Sequence, residues 1–173
     1  MSSVYPTTEA ILASLSELAK AWRPLAIFWH LYFAAFVIAL IYSFRPSKRV
    51  SCIILAMPFL SVSILAWSIP NPFNGTIFAV IGILLVAVSV KLPRESIQIA
   101  PLWAMIPGAL MLIFGWIYPH FLDASSPLSF LYSAPTGLVP CPTLSMGIGL
   151  ALILNSLVSR KVSLILGISG MAY

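Results

Sequence analysis

A small set of side chains in this sequence could do chemistry, and their positions predict that they gather at one end of a helical bundle. The set comprises His30, His120, Asp123 and the run Pro140, Cys141, Pro142 and Thr143. In that run two prolines remove two backbone donors, and Pro142 leaves the carbonyl of Leu138 without a helical partner. A thiol, a hydroxyl and unpaired carbonyls at a helix start are the groups from which discontinuous membrane helices build ion and substrate sites.

The chemistry that these residues suggest is metal or haem ligation. A cysteine with a histidine suits a transition metal such as copper or zinc, with Cys141 and His120 as the ligands. Two facing histidines, His30 and His120, would suit a haem. The pattern favours a structural interpretation over both, because a buried free cysteine packs as a small residue and no spacing matches a known ligand motif. Catalysis is the weaker hypothesis, since a catalytic cysteine needs a paired base in a polar cleft.

The composition predicts that lipid surrounds most of the chain. Of its 173 residues, 61% are hydrophobic and only 8% are charged, whereas soluble domains carry about 25% charged residues. A chain of this length cannot bury so much apolar surface in a core of its own. Its lysines and arginines stand in short clusters between apolar runs, which is the pattern of membrane topology and not of a nucleic-acid-binding face.

The apolar runs predict an all-α fold, a polytopic transmembrane helical bundle with five full spans and the start of a sixth. A helix of about 20 apolar residues crosses the hydrocarbon core. The predicted spans are residues 24–44, 50–69, 76–92, 99–118 and 138–158. The last run, residues 162–173, would form a helix of about 18 Å, so it either inserts halfway or belongs to a chain that continues beyond Tyr173.

Residues 1–23 predict an amphipathic interfacial helix ahead of the transmembrane domain, which covers residues 24–173. Four apolar side chains recur at helical spacing, and they are Ile11, Leu15, Leu18 and Trp22. The segment is too polar to span a membrane. We therefore expect it to lie at the headgroup level, with this face towards lipid or the rest of the protein.

The distribution of basic residues between loops predicts the orientation. The loops after spans one, three and five carry seven, which are Arg45, Lys48, Arg49, Lys91, Arg94, Arg160 and Lys161. The loops after spans two and four carry none. The positive-inside rule then places the N-terminus and the loops 70–75 and 119–137 outside. His30, His120, Asp123 and Cys141 would share that outer face, whereas Cys52 lies at the inner end, too far from Cys141 for a disulfide.

Small residues and prolines predict two details of packing. Span four repeats Ala100, Ala104 and Gly108, and span five repeats Cys141, Ser145 and Gly149. Small residues every four positions let helix backbones approach closely, so we expect Ala104 and Gly108 to face Ser145 and Gly149. In span two, Pro58 frees the carbonyl of Ile54 and predicts a kink.

Residues 134–143, Ala-Pro-Thr-Gly-Leu-Val-Pro-Cys-Pro-Thr, resemble the signature of an uncharacterised bacterial family of small multi-span membrane proteins. Trp22 before the first span, Asn71-Pro72 before the third and Tyr118-Pro119 after the fourth match that family as well. The resemblance implies a multi-span fold and a complete final helix, which favours truncation at Tyr173. The family has no established activity, so the resemblance marks the motif without implying a mechanism.

Three functions remain open for a protein of the bacterial inner (plasma) membrane with a periplasmic N-terminus. The first is transport or binding of a small solute or metal ion at the outer ends of spans one, four and five. The second is a non-catalytic accessory subunit of a larger membrane complex or a homo-oligomer, because few charges lie within the spans. The third is a haem-ligating redox subunit. Lipid is the predicted partner in each case, and nucleic acid in none.

Overall fold

A computed structural model describes residues 8–69, 71–118, 127–131 and 134–173, and confirms that this part of the chain is all-helical. Its α-helices are α1 Thr8–Ala21, α2 Arg23–Ile41, α3 Lys48–Ser68, α4 Pro72–Lys91, α5 Leu102–Trp116, α6 Pro140–Ile153 and α7 Arg160–Ala172. Two short 3₁₀ helices, Pro127–Leu131 and Asn155–Val158, lie in the connections. The β-structure of the described residues is limited to an isolated bridge between Ser47 and Ser96.

Among the described helices, three are long and apolar enough to cross a membrane. They are α2, α3 and α4, with 19, 21 and 20 residues. α5 and α6 have only 15 and 14 residues, so both are shorter than their predicted spans. Prolines set their starts, because Pro101 precedes the first residue of α5 and Pro140 is the first residue of α6. After α6 the backbone leaves helical geometry, with positive φ at Asn155, Leu157 and Val158.

The outward-facing side chains of the bundle are largely apolar. Ile64 and Trp67 on α3, and Leu102 and Trp103 on α5, are each more than half exposed. Repeated large apolar side chains on an outer surface suit contact with lipid better than contact with water. This surface and the three long helices are those of a membrane protein.

Helix α3 forms the centre of the bundle. Leu55, Phe59 and Val62 on this helix are fully buried. α3 packs chiefly on α4, α5 packs chiefly on α6, and α6 also contacts α3 and α7. The predicted kink at Pro58 lies on α3, and the hydroxyl of Tyr32 on α2 donates to the carbonyl of Ile54 over 3.0 Å. A side chain of the neighbouring helix thus satisfies the acceptor that Pro58 leaves unpaired in the helix.

The predicted close contact between spans four and five is confirmed at the glycines. A Cβ on Gly108 would lie 2.7 Å from the carbonyl oxygen of Gly149, and a Cβ on Gly149 would lie 2.5 Å from that of Gly108. The predicted partnership of Ala104 with Ser145 is wrong. Because the two helices are antiparallel, Ser145 lies opposite Met111 and donates to its carbonyl over 2.7 Å.

Helix α1 joins α2 at Trp22, where the backbone φ and ψ are −107° and 26°. The side chain of Leu18 is buried and packs in a cluster with Trp29 of α2 and with Leu138 and Val139 of the segment before α6. The predicted helix therefore exists, and one of its apolar residues faces the protein. The side chains of Ile11 and Leu15 lie outside the described part of the structure, and the interfacial placement stays a prediction.

The seven basic residues of the predicted inner loops share one end of the bundle, called the basic end below. Lys48 Nζ lies 2.7 Å from Glu95 Oε2, and Arg49 Nη2 donates to the carbonyl of Leu92 over 3.0 Å. The amide of Ala100 donates to the carbonyl of Ile153, which draws the end of α6 to the same place. The connections that carry the basic residues therefore meet, as the charge pattern predicts for one side of a membrane.

Candidate binding pocket beside Cys141

The 134–143 segment, which carries a thiol and hydroxyls, has a buried part and an exposed part in the fold. Residues 134–139 form a buried, non-helical turn that leads into α6. The amides of Leu138 and Val139 both donate to the carbonyl of Pro135. Non-helical backbone is tolerated at membrane depth where protein surrounds it, and the burial of this turn meets that condition.

Gly137 allows the turn to pack against α2. Its φ is +74°, and a Cβ at this position would overlap the ring of Trp29. The ring itself is held in place, because Trp29 Nε1 donates to Ser61 Oγ over 3.0 Å. Both the positive φ and the contact with the indole require glycine here.

Thr143 is a structural residue of the turn. Its buried hydroxyl accepts from the amide of Gly137 over 2.7 Å and donates to the carbonyl of Val139 over 2.7 Å. Thr136 adds a bond to α5, since its hydroxyl donates to the carbonyl of Gly115 over 3.2 Å. The two threonine hydroxyls are thus occupied by backbone groups.

The two prolines around Cys141 fit the start of α6 without breaking a helix. Because α6 begins at Pro140, Pro140 and Pro142 both occupy its first turn. The amides of a first turn have no partner within their own helix, so their absence costs little there. The sequence suggests a discontinuous helix at this point, whereas the structure shows a regular helix start that follows a buried turn.

Cys141 is the exposed residue of this segment. It lines a cavity of about 460 Å³ between α5, α6 and α7. The cavity walls are mainly apolar, and they include Leu110, Phe114, Leu144, Ile148 and, at the end of α7, Tyr173. This space is called the Cys141 pocket below.

Two phenols accompany the thiol at this end of the bundle. The hydroxyl of Tyr118, which follows α5, lies close to the thiol of Cys141. The hydroxyl of Tyr173 donates to Asn74 Oδ1 at the start of α4, and its ring packs edge-on against Phe78 at 5.4 Å. The polar groups at this end of the pocket are therefore a thiol and phenol hydroxyls.

Sequence reasoning assigned neither tyrosine to the candidate site. Tyr118 follows the end of α5. Because α5 and α6 are antiparallel, the end of α5 lies beside the start of α6, so the order of the spans could have placed Tyr118 near Cys141. Tyr173 belongs to a helix that the sequence shows as a short apolar run. Its approach to Cys141 depends on how α7 packs between α4 and α6, for which the sequence holds no comparable signal.

His30 lies away from the pocket, in the packing between α2 and the last turn of α5. It is buried, and its Nδ1 lies 2.8 Å from the carbonyl oxygen of Ala26. Its ring meets Trp116 edge-on at 5.0 Å, and Nε2 lies towards the Trp116 backbone without a well-formed hydrogen bond. His30 therefore packs against α5 through its ring, while its Nδ1 bonds to the backbone of its own helix.

The remaining metal-site residues, His120 and Asp123, lie outside the described residues. Within the described ranges, no group of three or more His, Cys, Asp and Glu side chains is placed to hold a metal ion. The second cysteine, Cys52, is buried at the basic end, where its thiol donates to the carbonyl of Leu85 over 3.2 Å. Both cysteines are free thiols.

Comparison with models of protein families, with curated proteins and with solved structures gives no match. The described fold and the Cys141 pocket define the class of the protein in physical terms. It is an α-helical bundle with three helices able to cross a membrane. Its candidate site is an apolar pocket lined by the free thiol of Cys141 and the phenol of Tyr173, with Tyr118 beside the thiol.

Proposed function

We propose that this protein binds a small amphipathic molecule in the Cys141 pocket, from the outer leaflet of the bacterial inner membrane. The observation that carries the proposal is a cavity of about 460 Å³ with hydrocarbon walls and a few polar groups at one end. Ligand pockets are commonly of this size, with mostly apolar linings and a small number of placed polar groups. The walls of the pocket suit an apolar body, and Cys141 and Tyr173, with Tyr118 beside the thiol, suit one hydrogen-bonding head.

The proposed placement has α2, α3 and α4 crossing the membrane, with α5 and α6 completing the five spans together with their connections. The basic end faces the cytoplasm, following the positive-inside rule. The Cys141 pocket, at the opposite end of α6, then opens to the outer side. α7 closes one wall of the pocket and brings Tyr173 to it.

An amphipathic solute suits this pocket better than a metal ion. A thiophilic metal requires several ligand atoms around it, and Cys141 has phenols for its described neighbours. An amphipathic molecule instead uses the apolar walls, whose burial supplies about 25 cal/mol per Å² of apolar surface. The role proposed for Cys141 and the tyrosines is to orient the head of the ligand.

The binding test uses the alkylation rate of Cys141 in the full chain in lipid nanodiscs. N-ethylmaleimide is the reagent, decanol is the competing amphiphile, and the Cys141→Ser variant measures any reaction of buried Cys52. Decanol should slow alkylation of the wild type. Leu110→Trp, which fills the pocket, should weaken decanol protection about tenfold, equivalent to about 1.4 kcal/mol. Ile113→Trp is the matched control, because Ile113 is exposed on the same helix and does not line the pocket.

Equal protection in the two tryptophan variants, or none in the wild type, would overturn the amphiphile proposal. Protection by Zn²⁺ in place of decanol would support the metal site that the sequence suggests. Orientation is tested separately in intact cells with a membrane-impermeant maleimide. Labelling of Cys141 from outside is expected, and labelling only after the cells are opened would reverse the proposed topology.

A further inference from the structure

A second cavity lies at the basic end, far from the Cys141 pocket. Its volume is about 260 Å³, and its lining includes Val37 and Ile41 of α2, Met105 of α5 and Ile153 of α6. The lining also includes one charged side chain, that of Arg45. This space, called the Arg45 crevice below, is thus an apolar cavity with a cation in its wall.

The fold holds Arg45 at the end of α2. Its Nη1 donates to the carbonyl of Leu40 over 2.6 Å and to the carbonyl of Phe44 over 3.1 Å. Within the described part of the chain, both hydrogen bonds of this guanidinium come from Nη1, which leaves Nη2 for a further acceptor. The side chain is therefore fixed by the backbone yet still able to bind an anion.

The charges around the Arg45 crevice are mostly positive. Seven cations lie at the basic end, and Glu95 is the carboxylate there, already paired with Lys48 over 2.7 Å. Arg49 is held by the carbonyl of Leu92, whereas Lys91, Arg94, Arg160 and Lys161 are exposed. An anion at Arg45 would therefore be attracted by its surroundings and would meet few competing carboxylates.

We propose that the Arg45 crevice is a binding site for an anionic phospholipid, with an acyl chain against the apolar walls and the phosphate on Arg45. Charge complementarity selects this occupant, because an uncharged lipid would leave the guanidinium unused and a free anion would leave the apolar walls empty. Basic pockets between membrane helices bind acidic headgroups on the cytoplasmic side. A guanidinium is suited to phosphate because its planar fork can offer two parallel donors. This site is independent of the Cys141 pocket.

The lipid test is native mass spectrometry of the full chain in detergent with added phosphatidylglycerol or phosphatidylcholine. The wild type should retain phosphatidylglycerol in preference. Arg45→Gln should lower its affinity about tenfold, as expected for loss of a hydrogen bond to a charged group. Arg45→Lys should keep part of the preference, because it keeps the charge and loses the fork. Lys161→Gln, an exposed cation of the same end that does not line the crevice, is the matched control.

A second variant keeps the test decisive if loss of the Arg45 bonds disturbs α2. Val37→Trp fills the crevice and leaves Arg45 unchanged, and Ile38→Trp is its control on the outward face of the same helix. Phosphatidylglycerol binding should fall in the first variant and persist in the second. Equal losses for Arg45→Gln and Lys161→Gln, or displacement of the lipid by inorganic phosphate alone, would overturn the proposal in favour of general attraction or a free-anion site.

Discussion

The α3–α4 pair and the α5–α6 pair solve the same packing problem in different ways. α3 and α4 have 21 and 20 residues, and their interface glycines receive side chains, as Gly82 receives Leu60. α5 and α6 have 15 and 14 residues, and Gly108 and Gly149 bring backbone against backbone. The first pair is joined by a short capped turn, in which Asn71 Oδ1 accepts from the amide of Asn74 over 3.2 Å. The second is completed by the buried turn of residues 134–139.

This difference shows where a membrane bundle can place a site. Long helices packed by large side chains leave little room between them. Short helices leave the end of the bundle to other segments, and here the buried turn, Tyr118 and the end of α7 surround the start of α6. The Cys141 pocket therefore lies in the less regular half of the molecule, while α3 and α4 supply its rigid support.

The largest expected effect concerns the two kinds of glycine contact. Gly108→Ala should lower the free energy of unfolding by about 3 kcal/mol, because the added methyl meets the backbone carbonyl of Gly149, which cannot move aside. Gly82→Ala should cost less, since the methyl meets the flexible end of Leu60. Gly167, which has open space around it, is the control. Unfolding titrations in detergent measure all three, and equal losses at Gly108 and Gly82 would remove the distinction between the pairs.

The next effect concerns the buried turn of the α5–α6 half. Thr143→Val should destabilise the protein by about 2 kcal/mol, because it leaves the amide of Gly137 without its acceptor in a buried site. Thr143→Ser keeps the hydroxyl and should stay near the wild type. Unfolding titrations, with the reaction rate of Cys141 as a local probe, measure both. A stable Thr143→Val variant with unchanged thiol reactivity would show that the turn does not need this hydroxyl.

A smaller effect is expected at the kink of the α3–α4 half. Tyr32→Phe removes the donor to the carbonyl of Ile54 and should cost about 1 kcal/mol, within the range of single hydrogen bonds in membranes. In the double variant with Pro58→Ala, the helix can supply its own donor to that carbonyl, so the loss of the tyrosine hydroxyl should matter less. Additive losses in the double variant would contradict the coupling.

The smallest effect is expected for a proline of α6. Pro142→Ala should change the free energy of unfolding by less than about 1 kcal/mol, because the amide it restores lies in the first turn, where no helical acceptor is required. The decanol protection of Cys141 should persist. A large loss of stability on this change would mean that the proline itself holds the turn against α6.

The α3–α4 pair and one contact of the α5–α6 pair could be predicted from local sequence. The runs around Phe59 and Ile81 are long, apolar and bounded by turn residues, so α3 and α4 appear close to their predicted ranges. The Gly108 to Gly149 contact could be predicted because small residues at helical spacing mark a face. The predicted contact of Ala104 with Ser145 was wrong because the spacing of small residues marks a helix face but does not fix how far α5 is shifted along α6.

The candidate site was predictable only in part. The prolines, thiol and hydroxyl around Cys141 predict a candidate site there. The residue types do not indicate which of these side chains are buried. Thr143 turns towards the backbone of the turn, and Cys141, two positions earlier, faces the pocket. Its neighbours Tyr118 and Tyr173 are 23 residues before it and 32 after it in the chain.

The sequence by itself determined two properties of this protein: its long apolar helices, which suit a lipid environment, and the end of the bundle at which its charges lie. Apolar runs of sufficient length and clusters such as Arg45, Lys48 and Arg49 carry that information locally, because hydrophobic transfer and charge placement depend on residue type and position alone. Only the tertiary structure decided the pocket beside Cys141 and the crevice beside Arg45. Cavities arise from the offsets and crossing of distant helices, and those depend on packing between segments that no local pattern encodes.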